Sequence, residues 1–397
     1  MGCRSSSSVE EHHKDKTLLT SDLPTPLALQ ASSDDAERVS KEIEQLKRVA
    51  KVEEHRQAIV LLHGLHRLSY DFNAMQAVLK EKFPHATITA LTSVDKDPSK
   101  KGSAYISPSM ELSIEEQAKL AYKEIKTKID RGKHIVIVGH SQGGLRGFTV
   151  VKEYGNQLKS QDGIIITQLI TIGTPWRGAP VMDHIKNIKE FKQKFKEIET
   201  TLDKVAQDYS EAVIKYFFKF MPKLAKAWPS LYERAVPYLM RKKCPGAVDL
   251  HPKSDFIRHY VATGLRAVDL PITAIAGVLI DFSKLFEPFP SSIDPQALDT
   301  LNATYANLIG GDPKCEHDML LPVGTQQAEG LAKQNFTCVK VYGACHGNKV
   351  GIKVKDGLAE LNNKEVIQKV VGSIEAAFYE AKRKVLVAGE EQSVPAA

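Results

Sequence analysis

His134-Ile135-Val136-Ile137-Val138-Gly139-His140-Ser141-Gln142-Gly143-Gly144-Leu145 is the stretch from which the rest of the chain is read. Four branched apolar residues in a row make a buried strand, and a helix-like segment begins at Leu145. Between them stands a serine with glycines two positions before and two after it, the G-x-S-x-G nucleophile elbow. The glycines have a steric task. A serine at the apex of a strand-to-helix turn is held in a strained backbone conformation, and strand and helix must then approach closely. The pattern predicts a reactive hydroxyl at one edge of a sheet.

Working outward, Ala58-Ile59-Val60-Leu61-Leu62 and Ala86-Thr87-Ile88-Thr89-Ala90-Leu91 read as short buried strands, with a helix between Phe72 and Phe83. Residues 114–130 form a helix before the elbow strand. Thr167 to Gly173, Pro271 to Gly277 and Cys338 to Gly343 supply three further strands. Val366, Ile367, Val370, Val371, Ile374 and Phe378 give a last helix its core spacing. Strands alternating with helices predict an α/β class: a mostly parallel central sheet flanked by helices. The expected layout is an arm over 1–36 without periodicity, a catalytic domain over 37–388 and a loose tail over 389–397. Between 181 and 270 the strand alternation gives way to a helical pattern, which predicts an inserted lid.

A serine hydroxyl is a poor nucleophile at neutral pH and needs a base, which in turn needs an acid to orient it. In this architecture the chain order is Ser, then Asp or Glu, then His. His346 is the candidate base, because it lies in a small-residue loop directly after the strand ending at Gly343. Asp318, followed by an apolar run and Pro322, is the candidate acid; Asp312 and Glu316 are rivals within six residues. For the oxyanion, the N–H groups of Gln142, next to the nucleophile, and of Leu65, in the turn His63-Gly64-Leu65 after the first strand, are the expected donors.

Together these residues resemble the α/β-hydrolase superfamily, and within it the lipase-like branch of triacylglycerol lipases and inositol-deacylase-like serine esterases. Ile172-Gly173-Thr174-Pro175-Trp176-Arg177-Gly178-Ala179-Pro180 is similar to that branch's "GTPH-G-P" strand end, with Trp176 in place of His. Asp249 to Phe256 is similar to its "DL-PGS-FL" segment, with Lys253 in place of Gly. The resemblance implies the α/β-hydrolase fold with a helical lid, a Ser141-Asp318-His346 triad and a lipid ester as substrate. It implies no cofactor.

Composition narrows the rest. The chain has 397 residues and a net charge of +6, and fourteen Lys/Arg against seven Asp/Glu fall between 185 and 243, so the positive charge belongs to the lid. There, Lys215 and Lys219 lie opposite an apolar side that includes Phe217 and Phe220, with Phe218 and Trp228 adding bulk. One expectation is ordinary packing of the aromatics on the catalytic domain. The other is a lid meeting lipid and anionic headgroups. Met1-Gly2-Cys3-Arg4-Ser5-Ser6 fits acylation at Gly2 and Cys3. These features predict a peripheral protein at the cytosolic face of a membrane, or a cytoplasmic one, without a secretory signal. No C-x-x-C, His-Glu-x-x-His or phosphate-loop motif is present, and no metal site or nucleic-acid partner is expected. The expected activity is hydrolysis of a lipid carboxylic ester through an acyl-enzyme. Acyl transfer to an alcohol and a catalytically inactive membrane scaffold are the alternatives.

Overall fold

The computed structural model describes residues 51–391 except 53, 55, 98, 100–105, 187–192, 194–243, 286–294 and 348–353. The chain divides into Met1–Arg48 and Val49–Ala397; of the first unit Ser40, Lys41 and Glu44 are described, as exposed helical residues.

Six strands build the second unit: β1 (Gln57–Leu62), β2 (Thr87–Ala90), β3 (His134–His140), β4 (Ile165–Ile172), β5 (Ile272–Val278) and β6 (Phe336–Tyr342). They form one sheet in the order β2-β1-β3-β4-β5-β6, with every neighbouring pair parallel. The apolar runs explain both the strands and their burial. Alternate residues of a strand face opposite sides of the sheet. Ala58, Val60, Leu62, Ile135 and Ile137 therefore enter one core cluster, while Ile59, Leu61, Val136 and Val138 enter the other. A sheet covered on both faces needs apolar residues at consecutive positions, which is why the central strands β1 and β3 show no polar alternation.

Helices cover both faces. On the first lie α2 (Ile114–Lys128) and α3 (Gln142–Asp162), contributing Ala118, Ala121, Ile125, Leu145 and Phe148. On the second lie α1 (Asn73–Lys82) and the C-terminal α6 (Lys364–Glu391), through Met75, Leu79, Val366, Val370, Ile374 and Phe378. A helix not expected from the sequence, α5 (Pro295–Gly310), precedes the segment that carries Asp318. The last helix continues into the stretch expected to be loose, as far as Glu391.

Of the expected lid over 181–270, the described parts are its two ends. Val181–Lys186 is helical, and after Pro245–Val248 a π-helical segment (Phe256–Val261) continues into α4 (Ala262–Ala267). Phe256, Ile257, Val261 and Leu265 sit in the core beside α3, so the C-terminal end of that span covers the sheet. Phe217, Phe218, Phe220, Trp228, Lys215 and Lys219 lie outside the described residues. Among the described residues no helix is long and apolar enough to cross a membrane.

The strand order decides where chemistry can occur. The chain goes from β1 to β2 on one side and then to β3 on the other. The carboxyl ends of β1 and β3 thus flank the point where the order reverses, and in open parallel sheets this is where a crevice forms.

Candidate active site

Ser141 follows β3 and caps α3 with φ 55° and ψ −128°, a left-handed backbone rarely adopted by a non-glycine residue. The expected steric task of the glycines is visible. A Cβ at Gly139 would lie 2.5 Å from Gly144 Cα, and one at Gly143 would overlap the Leu62 carbonyl oxygen. Two hydrogen bonds fasten the turn: the Ser141 N–H donates to Ile172 O (2.8 Å), and the Thr174 hydroxyl donates to Ser141 O (3.0 Å).

His346 lies on a loop after β6, with its Nε2 2.9 Å from Ser141 Oγ and its Nδ1 2.8 Å from Asp318 Oδ2. The other oxygen of Asp318 accepts from the N–H groups of Leu320 (2.9 Å) and Leu321 (2.7 Å). The backbone joins in, since the His346 N–H donates to Asp318 O (2.8 Å). Gln326 clamps the acid loop to β5, accepting from Gly277 N and donating to the carbonyls of Gly277 and Leu321. All three side chains are buried. The rivals lie elsewhere: Glu316 pairs with Lys340 at 2.5 Å on an exposed edge, and Asp312 accepts from its neighbour Lys314 N.

The turn after β1 rests against Ser141. A Cβ on Gly64 would come 2.8 Å from Ser141 Cβ, so the backbone leading to Leu65 passes directly beside the hydroxyl. Gln142 opens α3, where the first N–H groups of a helix have no intrahelical acceptor. The expected oxyanion donors are thus on the two segments that flank Ser141. Elbow and turn are also tied together. Arg146 of α3, fully buried, donates from Nη2 to His63 O (3.0 Å), and burial lowers its pKa to about 10. His63 Nε2 lies 2.9 Å from Asp95 Oδ1, which anchors the turn from the loop after β2.

Three residues here were not anticipated. Glu360 is completely buried, and its Oε2 lies 3.0 Å from His140 Nε2. His140, the residue before Ser141, has its ring 4.9 Å from that of His346. Cys345 is buried beside them as a free thiol whose pKa burial pushes up to about 12. The one local sign of Glu360 is an acid set among apolar neighbours in Leu358-Ala359-Glu360-Leu361. Among the described residues, His140, His346 and Glu360 are the one set of metal-type ligands with donor atoms within 4.8 Å of each other. Both ring nitrogens of His346 are already engaged by Asp318 and Ser141, so the set is a hydrogen-bonded network. A cavity of about 380 Å³ borders His346 and Gly347, with Arg67, Tyr70 and Asn73 on its wall.

Trp176, which departs from the lipase-like pattern, is a core residue. It is fully buried and packs edge-on against Phe148 (5.3 Å) and Phe336 (5.6 Å).

The sequence model of the palmitoyl protein thioesterase family matches residues 58–221, which take in β1 to β4 and the elbow but neither Asp318 nor His346. No curated protein matches the chain. Solved structures resemble it distantly. MenH from S. aureus is 13% identical with a TM-score of 0.35, covering 83% of this chain and 95% of its own. A lipase-esterase related protein from Clostridium acetobutylicum is 12% identical with a TM-score of 0.34, covering 81% and 94%. Phospholipase PlaB from Legionella pneumophila is 11% identical with a TM-score of 0.40, covering 82% and 64%.

Proposed function

We infer that this chain, an α/β-hydrolase and a serine hydrolase of that type, cleaves long-chain acyl esters with Ser141, His346 and Asp318. The observation that carries the reading is the continuous row from Ser141 Oγ through the His346 ring to Asp318, with distances of 2.9 and 2.8 Å. Each is short enough for proton transfer or charge-assisted hydrogen bonding.

The chemistry follows from those positions. Asp318 keeps the proton of His346 on Nδ1, leaving Nε2 free to accept the Ser141 proton as Oγ attacks the acyl carbonyl. The negative oxygen of the tetrahedral intermediate is held by the N–H groups of Gln142 and Leu65; one such donor typically contributes about 3 kcal/mol to lowering the barrier. His346 then passes its proton to the leaving oxygen or sulfur, and the acyl group stays on Ser141. A water takes the place of the leaving group, gives its proton to His346 Nε2, and releases the acid.

For the leaving group there are two readings. A lipid alcohol suits the lipase-like motifs. A thiol is favoured by the match to the palmitoyl protein thioesterase family over 58–221. An anionic membrane surface suits the cluster of lysines between 185 and 243, and acylation at Gly2 and Cys3 would hold the protein there.

The test is a fluorophosphonate probe, which should label Ser141 in the wild type and leave Ser141→Ala unlabelled. Paired oxygen and sulfur esters of the same acyl chain should then separate the two leaving groups. A folded wild type that takes up no probe would remove the hydrolase reading.

A further inference from the structure

The mechanism above leaves one buried acid unused. Glu360 is fully buried, with Oε2 3.0 Å from His140 Nε2 and 3.7 Å from His346 Nδ1; Asp318 Oδ2 reaches the same Nδ1 at 2.8 Å. Room has been made for it at two strand ends. A Cβ at Gly173 after β4, or at Gly277 within β5, would overlap the Glu360 carboxyl group. The second oxygen, Oε1, is buried and has no hydrogen-bond partner among the described residues.

The groups facing this acid come from three segments: His140 from β3, Asp318 from the segment between β5 and β6, and Cys345 and His346 from the loop after β6. Two carboxyl groups at one buried imidazole cannot both carry a full charge, and the proton stays with the one that has fewer donors. Asp318 accepts from two backbone N–H groups and from His346. Burial first, and then the facing charge of Asp318, push the Glu360 acid well above its ordinary range.

We propose that Glu360 is a positioning residue and a reserve acid for His346. Neutral, it braces the imidazole through His140 and leaves Asp318 as the one carboxylate on Nδ1; with Asp318 removed, it ionises and holds the Nδ1 proton instead. The proton that Glu360 gives up goes to solvent, and no bond to carbon changes. The proposal rests on the hydrolase reading, but its test separates the two.

The experiment uses the full chain as wild type, Asp318→Ala, Glu360→Gln and the double variant. The rate of Ser141 labelling by a fluorophosphonate is followed from pH 6 to 9, with thermal unfolding as the measure of folding. With no carboxylate to fix the tautomer, a histidine of this kind loses about 10⁴-fold in rate. With Glu360 in reserve, Asp318→Ala should lose only about 10- to 100-fold, and its rate should climb with pH beyond the wild-type limb, because the reserve acid must lose its proton. Glu360→Gln should cost less than about fivefold in the wild type. In Asp318→Ala it should cost roughly 30-fold or more and abolish the additional limb.

Equal costs of Glu360→Gln in both backgrounds would overturn the proposal, as would a flat 10⁴-fold loss in Asp318→Ala. If Glu360→Gln does not fold, the size and pH slope of the Asp318→Ala rate decide alone. If Asp318→Ala does not fold, Asp318→Ser, whose short side chain puts no amide donor on His346 Nδ1, is read by the same criteria. A wild type without label at Ser141 sinks the hydrolase reading and this proposal with it.

Discussion

Ser141 holds a backbone conformation that costs about 1–3 kcal/mol for a non-glycine residue, and it is kept there by what surrounds it. One of those contacts is at Gly143, where an added Cβ meets the carbonyl of Leu62, a backbone atom at the carboxyl end of β1 that cannot step aside. Gly143→Ala should therefore lower stability by about 2–4 kcal/mol and slow probe labelling at Ser141 by at least tenfold. Gly155, on the same helix, is the contrast. A Cβ there makes only an ordinary 3.8 Å contact with Ile166 Cδ1, so Gly155→Ala should gain about 0.5–1 kcal/mol from the helix backbone. Thermal melts of the pair check both signs. If Gly143→Ala melts with the wild type, the elbow is not packed as described. At this scale the sequence is clear where spacing is local: the two glycines and the serine span five positions. Glu360 was not readable, because what gives it meaning is a histidine 220 positions away and two glycines on other strands.

Elements were legible in proportion to how strongly their own residues demanded them. All six strands overlap the stretches expected from the sequence, and α2 is capped by Ser113, whose hydroxyl accepts from Glu116 N while the Glu116 carboxylate accepts from Ser113 N. The segment from Phe256 to Ala267 was harder to place. It was expected as part of the inserted lid, and its apolar residues Phe256, Ile257, Val261 and Leu265 instead pack beside α3 in the core. The same α2 terminus carries a charge prediction. Asp249, from the segment preceding the π-helix, accepts from Ile114 N at 2.8 Å, yet burial raises its pKa to about 6. A carboxyl group that binds its proton more tightly folded than unfolded makes stability fall as pH rises from about 4 to 6. Asp249→Asn keeps an acceptor for Ile114 and removes the buried charge. It should be more stable than the wild type by about 2 kcal/mol at pH 7, and the gain should vanish near pH 4. Urea melts at both pH values measure it; a gain that persists at pH 4 would assign the effect to packing.

For the molecule as a whole, the reversal of strand order between β1 and β3 gathers residues from positions 64 to 360 at one rim. The candidate base and acid could be proposed because chain order in such sheets is limited. The apolar run and Pro322 that follow Asp318 favour it over Asp312 and Glu316, and in the fold it is the one of the three that reaches His346, while Asp312 and Glu316 bond to Lys314 N and Lys340. What happens at a membrane is a question at this scale. If the basic stretch between 185 and 243 meets anionic lipid, long-chain ester hydrolysis by the full chain should rise severalfold with anionic vesicles at low salt and not with zwitterionic ones, and Lys215→Glu with Lys219→Glu should blunt the rise. Equal rates with both vesicle types would leave the lysines as a solvated face.

Cys345, the residue before His346, is a buried free thiol. Burial pushes its pKa up to about 12, so it stays a thiol at neutrality, and alkylating agents and oxidants find little there to attack. The hydroxyl of Ser141 and the protonated thiol of Cys345 therefore differ in what a thiol-directed reagent would find at this rim.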